Sequence, residues 1–261
     1  MKANVNGFNI NYEVTGNANG PWLTMVNSLA TDMRMWEPQV AAFSNDFHIL
    51  RFDKRGHGKS DAPAGAYSME DLASDVVALW DHLGIAKSHY MGLSIGGMVG
   101  QGLLLKHADR LGPTVLTNTM AVCRPEFQAA WDQRIALAEE KGMGGLVEGT
   151  MERWFTEGYR KSEAPPLAMV RDMISTTSVA GYSGCARAIQ GLAYLDKLKT
   201  IDRPVLLMAG AHDGGTPESG MALMKNELKG AEYVILDAAH IANIEKSDEY
   251  TANVKAFFAK H

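Results

Sequence analysis

Apolar positions along the chain follow two alternating rhythms. Short runs of strand length, "WLTMVN" (22–27), "FHILRFD" (47–53), "SHYMGL" (88–93), "GPTVLTNTM" (112–120), "RPVLLMAG" (203–210) and "AEYVILD" (231–237), are separated by stretches with helical spacing. Before them, "KANV" and "FNINYEV" alternate apolar and polar residues around Asn6-Gly7, the signature of a hairpin turn. A helical stretch ends near Phe43. Ser68 starts a helix with Asp71 in capping-box position, and Leu72, Val76, Trp80 and Leu83 share one face of it. A further helix follows over 95–107. Strands alternating with helices predict an α/β fold: a mostly parallel sheet covered on both faces.

The alternation stops between about Ala121 and Leu195. There the spacing is helical, Met and Trp are frequent, and no strand-like run occurs. The chain therefore divides into a core (1–120 and 196–261) and a helical cap insertion (121–195) over one end of the sheet.

Length and composition narrow the function classes. With 261 residues, 46% hydrophobic and 21% charged, the chain suits one domain with an insertion. A net charge of -5 and a pI near 5.9 argue against nucleic acid or an anionic membrane as partner. Cys123 and Cys185 form neither a disulfide framework nor a metal clip. No apolar leader opens the chain and no run is long enough to span a membrane, so the expectation is a soluble, cytoplasmic protein. "GHGKS" lacks the earlier glycine of a phosphate loop, since position 53 is aspartate. No motif implies a metal, nucleotide or other cofactor.

The stretch "HYMGLSIGGMVGQ" carries the chemistry. Ser94 lies between a strand and a helix, with Gly92 and Gly96 two residues away on either side. A chain that turns from strand to helix at one residue needs small neighbours there, and the hydroxyl is then held clear of the sheet. Such a serine needs a base and a group that orients the base. In this topology they follow in the order acid, then histidine, each beyond a strand end. Asp213 in "AHDGGTP" and His240 in "AAHIANIEK" meet both conditions. His57 precedes the serine and reads as a structural loop residue. His212 adjoins Asp213 too closely to serve it, and the strand after the serine offers Asn118 rather than a carboxylate. Backbone N–H groups of Ile95 and of Leu29, in the loop after an earlier strand, are the candidate oxyanion donors.

With these residues in place, the chain resembles the α/β-hydrolase superfamily over nearly its whole length, through "RFDKRGHGKSDAP", "MGLSIGGMVGQ", "AGAHDGGTP" and "AAHIANIEK". "NSLATDMRMWEPQV" and "ERWFTEGY" look like the 3-oxoadipate enol-lactonase group. The resemblance implies an eight-stranded sheet, with Ser94 as nucleophile, Asp213 as acid, His240 as base, and Leu29 and Ile95 as oxyanion donors. It also places Arg153 and Trp154, from the group's "RWF", at the substrate pocket. Trp131, Trp154, Phe155, Tyr159 and Met151 read either as an apolar pocket or as plain helix packing. Two departures stand out. Ala30 replaces a glycine, and Gln190 in "CARAIQGLAY" replaces an arginine. The second argues against a carboxylate-bearing substrate and for a broader ester or lactone hydrolase. Alternatives with the same triad are a cofactor-free perhydrolase or haloperoxidase and a carbon–carbon bond hydrolase; a slow-turnover small-molecule receptor is the alternative of another class. Oligomeric state is not readable from the sequence.

Overall fold

A computed structural model describes residues 1–261. Eight strands form one sheet: β1 (Lys2–Val5), β2 (Phe8–Gly16), β3 (Trp22–Val26), β4 (His48–Phe52), β5 (Ser88–Leu93), β6 (Leu111–Thr117), β7 (Val205–Gly210) and β8 (Glu232–Leu236). Their spatial order is β1-β2-β4-β3-β5-β6-β7-β8. The β1–β2 and β2–β4 pairs are antiparallel, and every later pair is parallel. All the strand-like runs in the sequence are strands. Asn6 and Gly7 turn the first hairpin with φ of 52° and 84°, the positive values that an Asn-Gly pair tolerates.

Strands β5, β6 and β7 are buried at nearly every position. Successive strand residues point to opposite faces, so both faces of the sheet are covered. Helix α1 (Glu37–Phe43) packs on the last helix, and α2 (Met69–Leu83) packs on α3 (Ile95–Lys106). The Ser68–Asp71 capping box closes the start of α2 as its spacing predicts. Helix α3 is buried from Ile95 to Leu104, which explains its apolar residues on all sides.

Between β6 and β7 the chain leaves the sheet and runs through α4 (Pro125–Lys141), α5 (Val147–Trp154), α6 (Glu157–Lys161), α7 (Pro165–Thr176) and α8 (Val179–Gln190). An antiparallel bridge between Val122 and Ala193 ties the two ends of this excursion together. Helices α9 (Glu218–Glu227), α10 (Ala242–Glu245) and α11 (Ser247–Phe258) complete the chain. No helix is long and apolar enough to cross a membrane.

The loop after β4 is anchored on three sides. Arg55 donates twice to Asp75 of α2, at 2.6 Å each, and lies between the rings of Phe8 and Tyr67. Asp53 accepts the N–H groups of Met33 and Lys59, both at 2.9 Å. Gly56 meets Gly181 of α8 backbone to backbone, where either residue's side chain would collide with the other.

Candidate active site

Ser94 stands between β5 and α3 with φ 57° and ψ -119°. This conformation costs on the order of 1–3 kcal/mol and persists only where the surroundings enforce it. Here they do. A side chain at Gly92 would strike the Gly96 carbonyl, and one at Gly96 would strike that of Val26. The Tyr90 hydroxyl donates to the Gly96 carbonyl at 2.6 Å, the Ser94 N–H donates to Thr117 at 2.9 Å, and the Thr119 hydroxyl donates to the Ser94 carbonyl at 2.8 Å. Ile95, the first residue of α3, has an N–H with no acceptor inside the helix.

Asp213, beyond β7, and His240, beyond β8, are brought together by the parallel β7–β8 pairing. The His240 Nδ1 lies 2.7 Å from Asp213 Oδ2. The other carboxylate oxygen accepts the N–H groups of Gly215 (2.7 Å) and Thr216 (2.9 Å), and the Thr216 hydroxyl donates to Oδ2 at 2.6 Å. A buried carboxylate with this many donors is fixed in direction. It accepts from Nδ1, which leaves Nε2 turned away from the carboxylate.

Asn118 contributes something its sequence position does not reveal. With φ 42°, it donates through Nδ2 to the carbonyls of Ala239 (2.9 Å) and His240 (2.6 Å), and it accepts the Gly210 N–H at 2.6 Å. Residue 118 thus fastens the His240 loop to β7 instead of supplying an acid.

The loop 27–31 follows β3. Ala30 has φ 55°, and its N–H donates to Nε2 of His57 at 3.0 Å. His57 Nδ1 lies 3.0 Å from the Arg55 carbonyl, which makes it the protonated ring nitrogen. Burial and the nearby Lys54 hold this histidine well below its usual pKa, so the ring is neutral. His57 is structural, as its position before the serine implies. With the Ala30 N–H engaged, the Leu29 N–H remains without a protein acceptor.

Ser94, Leu29 and His240 border one cavity. Ser94 and His240 are not directly hydrogen-bonded across it. Trp131, Arg153 and Trp154 also border it. Trp154 stacks on His240, with ring centroids 5.8 Å apart. Much of the remaining wall is apolar and includes Met98, Met120, Leu146, Ile174 and Ile189.

The wall of the cavity also carries charge. Arg134 of α4 and Arg153 of α5 both border the cavity, with Tyr182 of α8 between them in chemistry: both cations act on its phenol. Neither arginine has a carboxylate within ion-pair distance; Arg153 donates only to the Thr150 hydroxyl, at 3.0 Å. Burial, and secondly Arg134, lower the pKa of Arg153. Gln190 does not border the cavity. It donates to Asp132 (3.0 Å) and to the Gln128 carbonyl (3.2 Å) and accepts from Arg187 (2.8 Å). The glutamine therefore says nothing against a carboxylate in the pocket. Phe155, Tyr159 and Met151 pack away from it, and the first two stack on each other at 5.3 Å. His212 is exposed and pairs with Asp237 at 2.8 Å.

A family model described as alpha/beta hydrolase fold matches residues 21–247, and the chain belongs to that family. It is similar to 3-oxoadipate enol-lactonase 2 of Acinetobacter baylyi, with 32% identity over 247 residues that cover 95% of this chain and 92% of the relative. It is similar also to a solved enol-lactonase from Burkholderia xenovorans LB400, with 40% identity, a TM-score of 0.96, and 99% and 100% of the two chains covered. A thermophilic esterase from Thermogutta terrifontis, solved with malate bound, gives 25% identity and a TM-score of 0.92 over 100% and 98% of the chains. The resemblance to enol-lactonases read from the motifs holds, and the protein is a hydrolase.

Proposed function

We propose that the protein is a serine hydrolase of small carboxylic esters or lactones that carry a free carboxylate, with an enol-lactone of the 3-oxoadipate type as the leading candidate. The observation that carries this reading is one cavity bordered by Ser94 at its strained turn, by His240, which Asp213 holds from behind, and by two arginines without carboxylate partners. A dicarboxylic acid lactonised through one carboxyl keeps the other as an anion. Two guanidinium groups facing a mainly apolar pocket suit such an anion.

In this reading residues 121–195 form the cap that supplies the arginines, while the sheet supplies the reacting groups. His240 Nε2 takes the proton of Ser94 Oγ as that oxygen attacks the lactone carbonyl. The N–H groups of Leu29 and Ile95 receive the oxyanion, and Asp213 stabilises the imidazolium. Collapse opens the ring as the His240 imidazolium gives its proton to the leaving oxygen, which stays tethered in the acyl chain. His240 then activates water, which releases the acid from Ser94.

The test compares wild type and Ser94→Ala on a carboxylated enol-lactone and on a short neutral p-nitrophenyl ester, with mass spectrometry after a fluorophosphonate probe. The expected result is covalent labelling at Ser94 and loss of turnover in the variant. Equal rates in the two proteins, with no labelling at Ser94, overturn the reading.

A further inference from the structure

Lys54 is a cation in an unusual place. It sits just beyond β4, is 3% exposed, and has no carboxylate within ion-pair distance. Burying an unpaired ammonium is costly, and the reaction scheme above assigns it no part. Its Nζ donates to the carbonyl of Ser28 and, at 3.5 Å, to that of Thr31. The first of these contacts matters most. The Ser28 carbonyl and the Leu29 N–H are the two ends of one peptide group.

We propose that Lys54 is a positioning residue for the oxyanion hole: its ammonium, bound to the Ser28 carbonyl, polarises the Ser28–Leu29 peptide and strengthens the Leu29 N–H as a donor. The proposal rests on the reading of Ser94 as nucleophile and Leu29 as oxyanion donor. The peptide bond is a resonance hybrid, so a positive charge at its oxygen draws density from nitrogen and makes the N–H more acidic. A stronger donor favours a full oxyanion more than the neutral carbonyl before it, so the effect falls on the chemical step rather than on binding.

The same loop has other supports. His57 holds the Ala30 N–H, and Asn27 donates to the Thr31 carbonyl and, at 3.3 Å, to the Thr31 hydroxyl. These contacts remain when Lys54 is replaced, so removing it takes away the charge while the loop stays tied.

The groups around Lys54 give it no direct partner, although Asp53 and Asp32 act on its charge at longer range and burial outweighs them. On α8, the buried Cys185 thiol is pushed up to about 12 and is neutral. Asp53 is bonded to backbone and amide donors, Asp32 is paired with Arg34, and Arg55 with Asp75. His57 is neutral. Burial lowers the Lys54 ammonium to about 8, so it is charged at pH 7 and loses its proton on the alkaline side.

The experiment measures kcat and KM from pH 6.5 to 10 on a carboxylated ester for wild type, Lys54→Met, Lys54→Arg and Ser94→Ala, with a melting curve for each. In wild type, kcat is expected to fall as pH rises through about 8. Lys54→Met should lose about tenfold in kcat at pH 7, a fraction of what a whole oxyanion donor is worth, with KM within about threefold and no alkaline fall. Lys54→Arg, a cation that does not titrate in this range, should keep its rate to pH 10. A folded Lys54→Met with wild-type kcat and the same alkaline fall overturns the proposal. If neither variant folds, a wild-type kcat that is flat from pH 7 to 10 overturns it alone. Ser94→Ala separates the two levels: a dead Ser94 variant beside an unaffected Lys54 variant removes only this proposal, whereas an active Ser94 variant removes both.

Discussion

His57 accepts the N–H of Ala30 at 3.0 Å, and this bond decides which amide of the loop is left for the substrate. The Ala30 N–H is consumed, so the neighbouring Leu29 N–H is the free donor. His57→Ala is expected to lower kcat about tenfold to a hundredfold, because the loop then loses the acceptor that orients it. His57→Gln, whose side-chain oxygen can accept the same N–H, should recover most of the rate. Steady-state kinetics on one ester substrate decide it, and equal rates in His57→Ala and wild type remove the role.

Ala30 itself occupies φ 55°, a left-handed conformation that costs a residue with a Cβ about 1–2 kcal/mol. Ordinarily Ala→Gly destabilises by about 0.5–1 kcal/mol through the unfolded chain. At this position the strain relieved offsets that loss. Ala30→Gly is therefore expected to be neutral or up to about 1 kcal/mol more stable, measured by denaturant unfolding.

Asp213 holds the proton on Nδ1 of His240 through a 2.7 Å bond, and three further donors fix the carboxylate. Asp213→Asn keeps the shape, but its amide can favour the wrong tautomer of the ring. The expected loss is about 10³- to 10⁴-fold in kcat. Proton NMR of the imidazole should show a changed hydrogen-bonded resonance, and a loss below about tenfold would speak against the pairing as the orienting contact.

Arg134 and Arg153 share one cavity wall without a carboxylate partner. Each is expected to set substrate preference rather than rate. Arg134→Met or Arg153→Met should raise KM about tenfold or more for a carboxylated lactone, and change it little for a neutral ester of equal size. Gln190→Arg should leave that preference unaltered, since residue 190 faces Asp132 and Gln128. A Gln190→Arg variant that gains carboxylate preference would reverse the assignment.

The strand runs, the turn at Ser94 and the acid–histidine pair were legible because each leaves a local mark. Buried parallel strands read as unbroken apolar runs, the turn at Ser94 requires Gly92 and Gly96, and Asp213 and His240 follow strand ends. Arg134 left no such mark, and only the resemblance carried by "RWF" placed Arg153 at the pocket. Arg134 and Arg153 lie on different helices, and helical spacing does not say which face meets the cavity. Residue 190 is opaque for the same reason: a position gives the residue type but not the direction of its side chain. Nothing in "DKRGHGKS" sets Lys54 apart from its charged neighbours, and only the fold shows it buried against the Ser28 carbonyl.

That burial has a consequence for stability opposite in sign to its proposed part in the reaction. The ammonium has an ordinary pKa of 10.5 in the unfolded chain and about 8 in the fold. Between these values the unfolded chain holds a proton that the folded protein has released. Stability relative to Lys54→Met therefore rises with pH from about 8 to about 10.5 and is level below 8, where the fold carries the full cost of the buried charge. A shift of this size corresponds to about 3 kcal/mol across the window. Denaturant unfolding of the two proteins at pH 7, 8.5 and 10 measures the difference directly. Cys185 and the buried tyrosines titrate in both proteins, so they largely cancel. A difference that stays constant from pH 7 to 10 would mean that Lys54 keeps an ordinary pKa in the fold, and the alkaline fall in kcat would then need another source.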